Sequence, residues 1–110
     1  MKRIAIAALL LLSVAAVSTA GTVEVEIIDY SFMPSTVIIK TGDTVRWTNT
    51  VFNQHSVTSG KDDVADGAWD SKRLNKGDTF SVTFDKAGEF PYFCDPHTAF
   101  KMRGVVIVED

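Results

Sequence analysis

After residue 21 the chain alternates hydrophobic and polar positions with a period of two. Over residues 22–28, Val23, Val25 and Ile27 interleave with Thr22, Glu24 and Glu26, as expected of a strand with one buried face. Residues 36–40 (TVIIK) and 44–48 (TVRWT) are β-branched runs on either side of Gly42-Asp43. Residues 79–84 alternate again, with Phe80, Val82 and Phe84 on one face, and 89–94 form an aromatic-rich run ending at Cys94. A last β-branched run covers 104–108. No segment carries a convincing helical period.

Turn signals at Thr41-Gly42-Asp43, Lys76-Gly77-Asp78 and Lys86-Ala87-Gly88 separate these runs. The echo between KTGDTV and NKGDTF reads as two Gly-Asp turns leading into strands, because it is too short for a duplication. Short strands at regular spacing predict an all-β fold, a Greek-key two-sheet β-sandwich. Residues 58–75 (TSGKDDVADGAWDSKRLN) break the alternation and are expected to form a polar surface loop with at most a short strand.

The opening of the chain follows a different rule. Lys2 and Arg3 precede residues 4–17, where Ser13 is the only polar side chain, and Ser18-Thr19-Ala20 supplies small residues. This is the layout of a secretory signal peptide over residues 1–20, with a mature domain at 21–110 exported to the periplasm or another extracytoplasmic compartment. The apolar run is shorter than the roughly 20 residues a spanning helix needs, so no membrane insertion is expected after cleavage.

Export changes the reading of charge and sulfur. Without Lys2 and Arg3 the 11 basic residues become 9 against 14 acidic ones, a formal charge of −5. With no basic run, nucleic acid is excluded as a partner. The remaining length suits one small domain, expected to act as a monomer. Its single cysteine cannot form an internal disulfide, although the compartment would permit one. Cys94 is therefore inert in the core, paired between chains, or present for its chemistry.

The segment YFCDPHTAFKM favours chemistry. Cys94, His97 and Met102 follow the pattern C-x2-H-x4-M on a loop between two predicted strands, and Asp95-Pro96 stiffens that loop. His55 follows the third strand, where a sandwich can bring it beside Cys94. Each residue alone has a bland explanation in packing or loop polarity. Together they offer two imidazoles, a thiolate and a thioether. A thioether is a poor zinc ligand, and magnesium and calcium prefer oxygen donors. Two histidines and a cysteine with a weak methionine form the blue-copper electron-transfer set, so one copper ion cycling between Cu(I) and Cu(II) is expected.

The chain resembles the cupredoxins, the small blue-copper electron carriers that include plastocyanin, amicyanin and pseudoazurin. The resemblance runs through FMPSTVIIKTGDTVRWTN, His55, GDTFSVTFDKAGEFPYFC, CDPHTAFKM and GVVIV. It implies a cupredoxin sandwich with His55, Cys94 and His97 as equatorial ligands and Met102 as the axial one. The C-x2-H-x4-M loop is similar to those of plastocyanin and pseudoazurin, while the His55–Cys94 interval is closer to amicyanin. Many relatives carry asparagine after the first histidine; Ser56 stands here, with a hydroxyl able to make a similar hydrogen bond.

The resemblance also implies that redox proteins dock transiently near His97. Pro96, Ala99 and Phe100, with Phe52, would form an apolar rim, unless Phe100 packs into the core. Lys101 and Arg103 would add positive charge there. Asp62, Asp63, Asp66 and Asp70 would steer a basic partner or simply solvate a loop. Trp47 is explained by burial; Trp69, in a polar segment, has no evident place. Met33 is the weaker candidate for a sulfur ligand. Competing functions are a cysteine enzyme, which leaves Met102 and one histidine unused, and periplasmic copper delivery or storage, for which the chain has few methionines and histidines. The expectation is a soluble electron carrier, not an enzyme.

Overall fold

A computed structural model describes residues 20–110. All but one residue of the expected signal peptide lies outside the described residues. The described chain forms nine strands: β1 (Thr22–Ile28), β2 (Ser31–Met33), β3 (Thr36–Lys40), β4 (Thr44–Asn49), β5 (Thr58–Lys61), β6 (Val64–Asp70), β7 (Thr79–Thr83), β8 (Gly88–Phe93) and β9 (Arg103–Glu109). A 3-10 segment, Asp95–Phe100, links β8 to β9.

The strands make two mixed sheets, ordered β2-β1-β4-β7 and β3-β9-β8-β5-β6. Two pairings are parallel, β1 with β4 and β3 with β9, because the intervening chain crosses between sheets. All six predicted strands form, within a residue or so of the expected ends. Their alternation decides which side chains meet between the sheets. Val25, Ile27, Val45 and Trp47 come from one sheet, and Val37, Ile39, Tyr92, Val106 and Val108 from the other. Trp47 meets Tyr92 edge to face, with centroids 5.2 Å apart, and Phe32 meets Tyr92 at 4.7 Å. Burying side chains of this size stabilises the fold by roughly 1.5–3 kcal/mol each.

Residues 58–75 correct the sequence reading. They are mostly a hairpin, β5 against β6, and β5 also pairs with β8. Thr58, Ser59 and Gly60 are buried although none is apolar. Their polar atoms find partners inside the hairpin: the Ser59 hydroxyl accepts the Trp69 N–H at 2.9 Å and donates to Asp66 Oδ1 at 2.5 Å. Trp69 thus has a structural place, packing against Trp47, Phe84 and Tyr92. Asp62 and Asp63 form the tight turn with φ of 55° and 65°, left-handed values that aspartate tolerates better than most residues.

The acidic cluster is likewise engaged in structure. Asp63 accepts two hydrogen bonds from Arg103, at 3.0 and 2.6 Å, and Asp66 accepts from Ser59 Oγ and the Ala68 N–H. Arg103 therefore does not offer the free positive charge expected beside the site. The β1–β2 hairpin was also missed, because three residues carry too little pattern to register as a strand.

Candidate metal centre

Loops from both sheets build the site. β4 ends at Asn49, which is fully buried and organises the chain running on to His55. Its amide donates to the carbonyls of Asn53 and Leu74, both at 2.9 Å, while its Oδ1 accepts the Val51 N–H at 3.1 Å. Leu74 and His55 then exchange backbone hydrogen bonds of 2.7 and 3.2 Å. His55 is thereby held before β5 with its ring wholly enclosed. Asn49→Ala should strand the Asn53 carbonyl and the Val51 N–H, remove one of the two hydrogen bonds at the Leu74 carbonyl, and destabilise the domain by about 2–3 kcal/mol. A denaturant midpoint unchanged from wild type would show that the loop is held by other contacts.

The second loop continues the β8–β9 ladder. Phe93 pairs with Arg103, and the Cys94 N–H donates to the Met102 carbonyl at 3.0 Å, so Cys94 and Met102 lie side by side where the hairpin opens. Between them Pro96 opens the 3-10 segment, the His97 N–H bonds the Cys94 carbonyl at 3.1 Å, and Lys101 closes the turn with a φ of 52°. Cys94 and Met102 are fully buried; His97 is partly exposed.

Three of the four predicted residues converge through their chemistry-bearing atoms. Cys94 Sγ lies 3.5 Å from His55 Nδ1 and 3.3 Å from His97 Nδ1, and one ligand atom from each residue falls within a 4.8 Å cluster. Met102 is adjacent through its backbone. Met33 is half-exposed on β2 and takes no part. The Ser56 N–H donates to Cys94 Sγ at 3.4 Å, and the Ser56 hydroxyl accepts the Asp95 N–H at 2.8 Å. The serine thus ties the two loops together, the role anticipated for its hydroxyl.

The electrostatics suit a cation. Burial pushes the Cys94 thiol up from its ordinary value, an effect reduced by hydrogen bonds from Ser56 and His97. His97 is pushed down, first by burial and then by the neighbouring His55. Both shifts penalise charge on the isolated groups, and a metal cation would offset the thiolate while taking neutral imidazole nitrogens. Two imidazole nitrogens and a thiolate in a largely buried cluster are the donors that a soft or borderline transition ion selects.

Two residues beside the site escaped the sequence reading. Asp29 and Tyr30 form the β1–β2 turn. Asp29 Oδ1 lies 3.0 Å from His55 Nε2, and the Tyr30 ring stands 5.1 Å from that of His97 and stacks on Phe100 at 4.1 Å. A residue-by-residue search for metal ligands passes over both, since neither is a donor in the set.

The sandwich and this donor cluster together define a protein of the cupredoxin class. Residues 19–109 match the model for copper binding proteins of the plastocyanin/azurin family, and the chain belongs to that family. It is 42% identical over 84 residues to chloroplastic plastocyanin of Tetradesmus obliquus, covering 71% of this chain and 58% of that one. Against amicyanin of Paracoccus versutus it is 38% identical over 90 residues, covering 82% and 67%. Among solved structures, a purple cupredoxin from Nitrosopumilus maritimus superposes with a TM-score of 0.73 at 27% identity, covering 79% of this chain and 99% of that one. A reduced amicyanin variant gives 0.70 at 32%, covering 86% and 89%. The His55–Cys94–His97 cluster is compatible with one copper ion.

Proposed function

We propose that this protein is an exported one-electron carrier whose copper is held by His55 Nδ1, Cys94 Sγ, His97 Nδ1 and, more weakly, the Met102 thioether. The convergence of the first three atoms within 4.8 Å in a buried pocket carries this reading. Copper bound there supplies a Cu(I)/Cu(II) couple. The protein contributes rigidity. Cys94 is tied to Met102, Ser56 and His97 by its own hydrogen bonds, and His55 is tied to Leu74. A donor set held in this way changes little between charge states, which keeps the reorganisation on electron transfer small.

Complete burial of Cys94 leaves a substrate no path to its sulfur, which supports a carrier over a cysteine enzyme. Electrons would pass at His97, the partly exposed ligand. Beside it Phe100 is 57% exposed and stacked on Tyr30, itself 42% exposed, which favours an apolar docking rim over packing of Phe100 into the core. Phe52, 90% exposed on the loop leading to His55, extends the apolar surface. Transient redox partners would dock there on the monomer, and residues 1–20 would direct export and leave a chain starting at Gly21.

The test is to express residues 21–110, add one equivalent of Cu(II), and record visible and electron paramagnetic resonance spectra before and after ascorbate. An intense blue, bleached reversibly, with narrow copper hyperfine splitting is expected. A pale, weakly bound complex would overturn the reading in favour of copper delivery or storage. In the same assay Met102→Leu, which nearly conserves volume, should keep the copper and raise the reduction potential, because a weak donor to Cu(II) is lost. An unchanged potential would remove Met102 from the ligand set.

A further inference from the structure

We propose that Asp29 is the positioning residue for His55, its carboxylate accepting the Nε2–H and holding the ring with the Nδ1 lone pair turned to the Cys94 sulfur. The inference rests on the copper reading for its redox consequence, but its structural part stands on this chain's own atoms. His55 has two ring nitrogens with two different neighbours: Nδ1 lies 3.5 Å from Cys94 Sγ and Nε2 lies 3.0 Å from Asp29 Oδ1. An ionised carboxylate only accepts hydrogen bonds, so the proton must sit on Nε2. A neutral imidazole protonated at Nε2 has its free lone pair on Nδ1, the atom that faces the cluster.

Asp29 is held for this task from two sides. It opens the two-residue turn between β1 and β2, fixed by the Ile28–Ser31 pair, and its Oδ1 also accepts the Asn53 amide at 3.1 Å. Asn53 belongs to the loop anchored by Asn49, so the carboxylate links the β1–β2 turn to the loop that presents His55. His55 is fully enclosed while the Asp29 side chain is 42% exposed. The carboxylate therefore retains part of its hydration and still meets the ring along a single hydrogen bond. A carboxylate behind a ligating imidazole fixes its orientation and raises its basicity. Its negative charge also favours the more positive metal state, so Asp29 should lower the reduction potential.

Asp29→Ala and Asp29→Asn separate the two effects. The asparagine carbonyl still accepts from Nε2 at nearly the same volume, without the charge. Long-range proton–nitrogen NMR of the metal-free protein reads the tautomer directly. Wild type and Asp29→Asn should show His55 protonated at Nε2, and Asp29→Ala a mixture of tautomers. In the copper-loaded protein both variants should have raised potentials. Asp29→Ala should also bind copper about 10- to 100-fold more weakly in a chelator competition, with Asp29→Asn restoring most of that loss. A His55 tautomer unchanged in Asp29→Ala, or wild-type potentials in both variants, would overturn the assignment. A wild-type protein that gives no blue site would sink the carrier reading instead, while the metal-free tautomer would still decide the role of Asp29.

Discussion

Cys94→Ala is expected to abolish the blue colour completely and leave a folded sandwich. The colour of such a site arises from the thiolate–copper bond, and this chain has no second cysteine to replace it. The structural cost is modest. Cys94 is fully buried, so removing its sulfur costs about 1 kcal/mol in lost burial. The Ser56 N–H loses its acceptor, worth about 1–3 kcal/mol more. A domain of this kind has roughly 5–15 kcal/mol to lose, so the circular dichroism and cooperative unfolding should survive. His55 and His97 remain, and the variant should still take up Cu(II), but as a pale and weaker complex. A blue protein after this substitution would remove Cys94 from the site and with it the carrier reading.

The second large effect is expected at a residue outside the ligand set. Gly60→Ala should destabilise the domain by about 3 kcal/mol or more, lowering the melting temperature by on the order of 10–20 °C. Gly60 sits at the irregularity in β5 with a φ of 146°, a conformation that side chains rarely adopt. A Cβ built there would lie 1.9 Å from the Val64 carbonyl oxygen. That oxygen is backbone within the hairpin, so relief requires β5 and β6 to part. Because Thr58 of β5 pairs with Phe93, next to Cys94, loosening this edge should also speed copper loss. Calorimetry and a chelator assay would measure the two consequences. A melting temperature within a degree or two of wild type would show that the hairpin accommodates a methyl group there.

The contrast between these positions bears on what a sequence can disclose. Cys94 announces itself by type and spacing, since few residues can do what a thiolate does and C-x2-H-x4-M puts three donors on one short loop. The predicted strands are legible for a related reason: alternation of Val25, Ile27, Val45 and Trp47 with polar neighbours is itself the physical cause of their burial, and the β-branched run that holds Val106 and Val108 marks a strand by its residue type. Residues 58–70 fail this test because Thr58 and Ser59 are buried as hydroxyls. Their burial is acceptable only because Asp66, Asp70 and the Trp69 backbone satisfy them across a hairpin. No pattern confined to neighbouring residues expresses a hydrogen bond to the opposite strand. Trp69 looked misplaced for the same reason, as its partners lie on β4, β8 and just beyond β7.

By itself, then, the sequence determined the all-β class, the order of the strongly alternating strands and the set of metal-seeking side chains, because period and residue chemistry are local properties. Only the tertiary structure decided which atoms face the site. It turned both Nδ1 atoms toward Cys94, set Asp29 behind His55 and Tyr30 beside His97, and engaged Arg103 with Asp63. These pairings join residues up to tens of positions apart, and their geometry follows from how two sheets stack and where their loops meet.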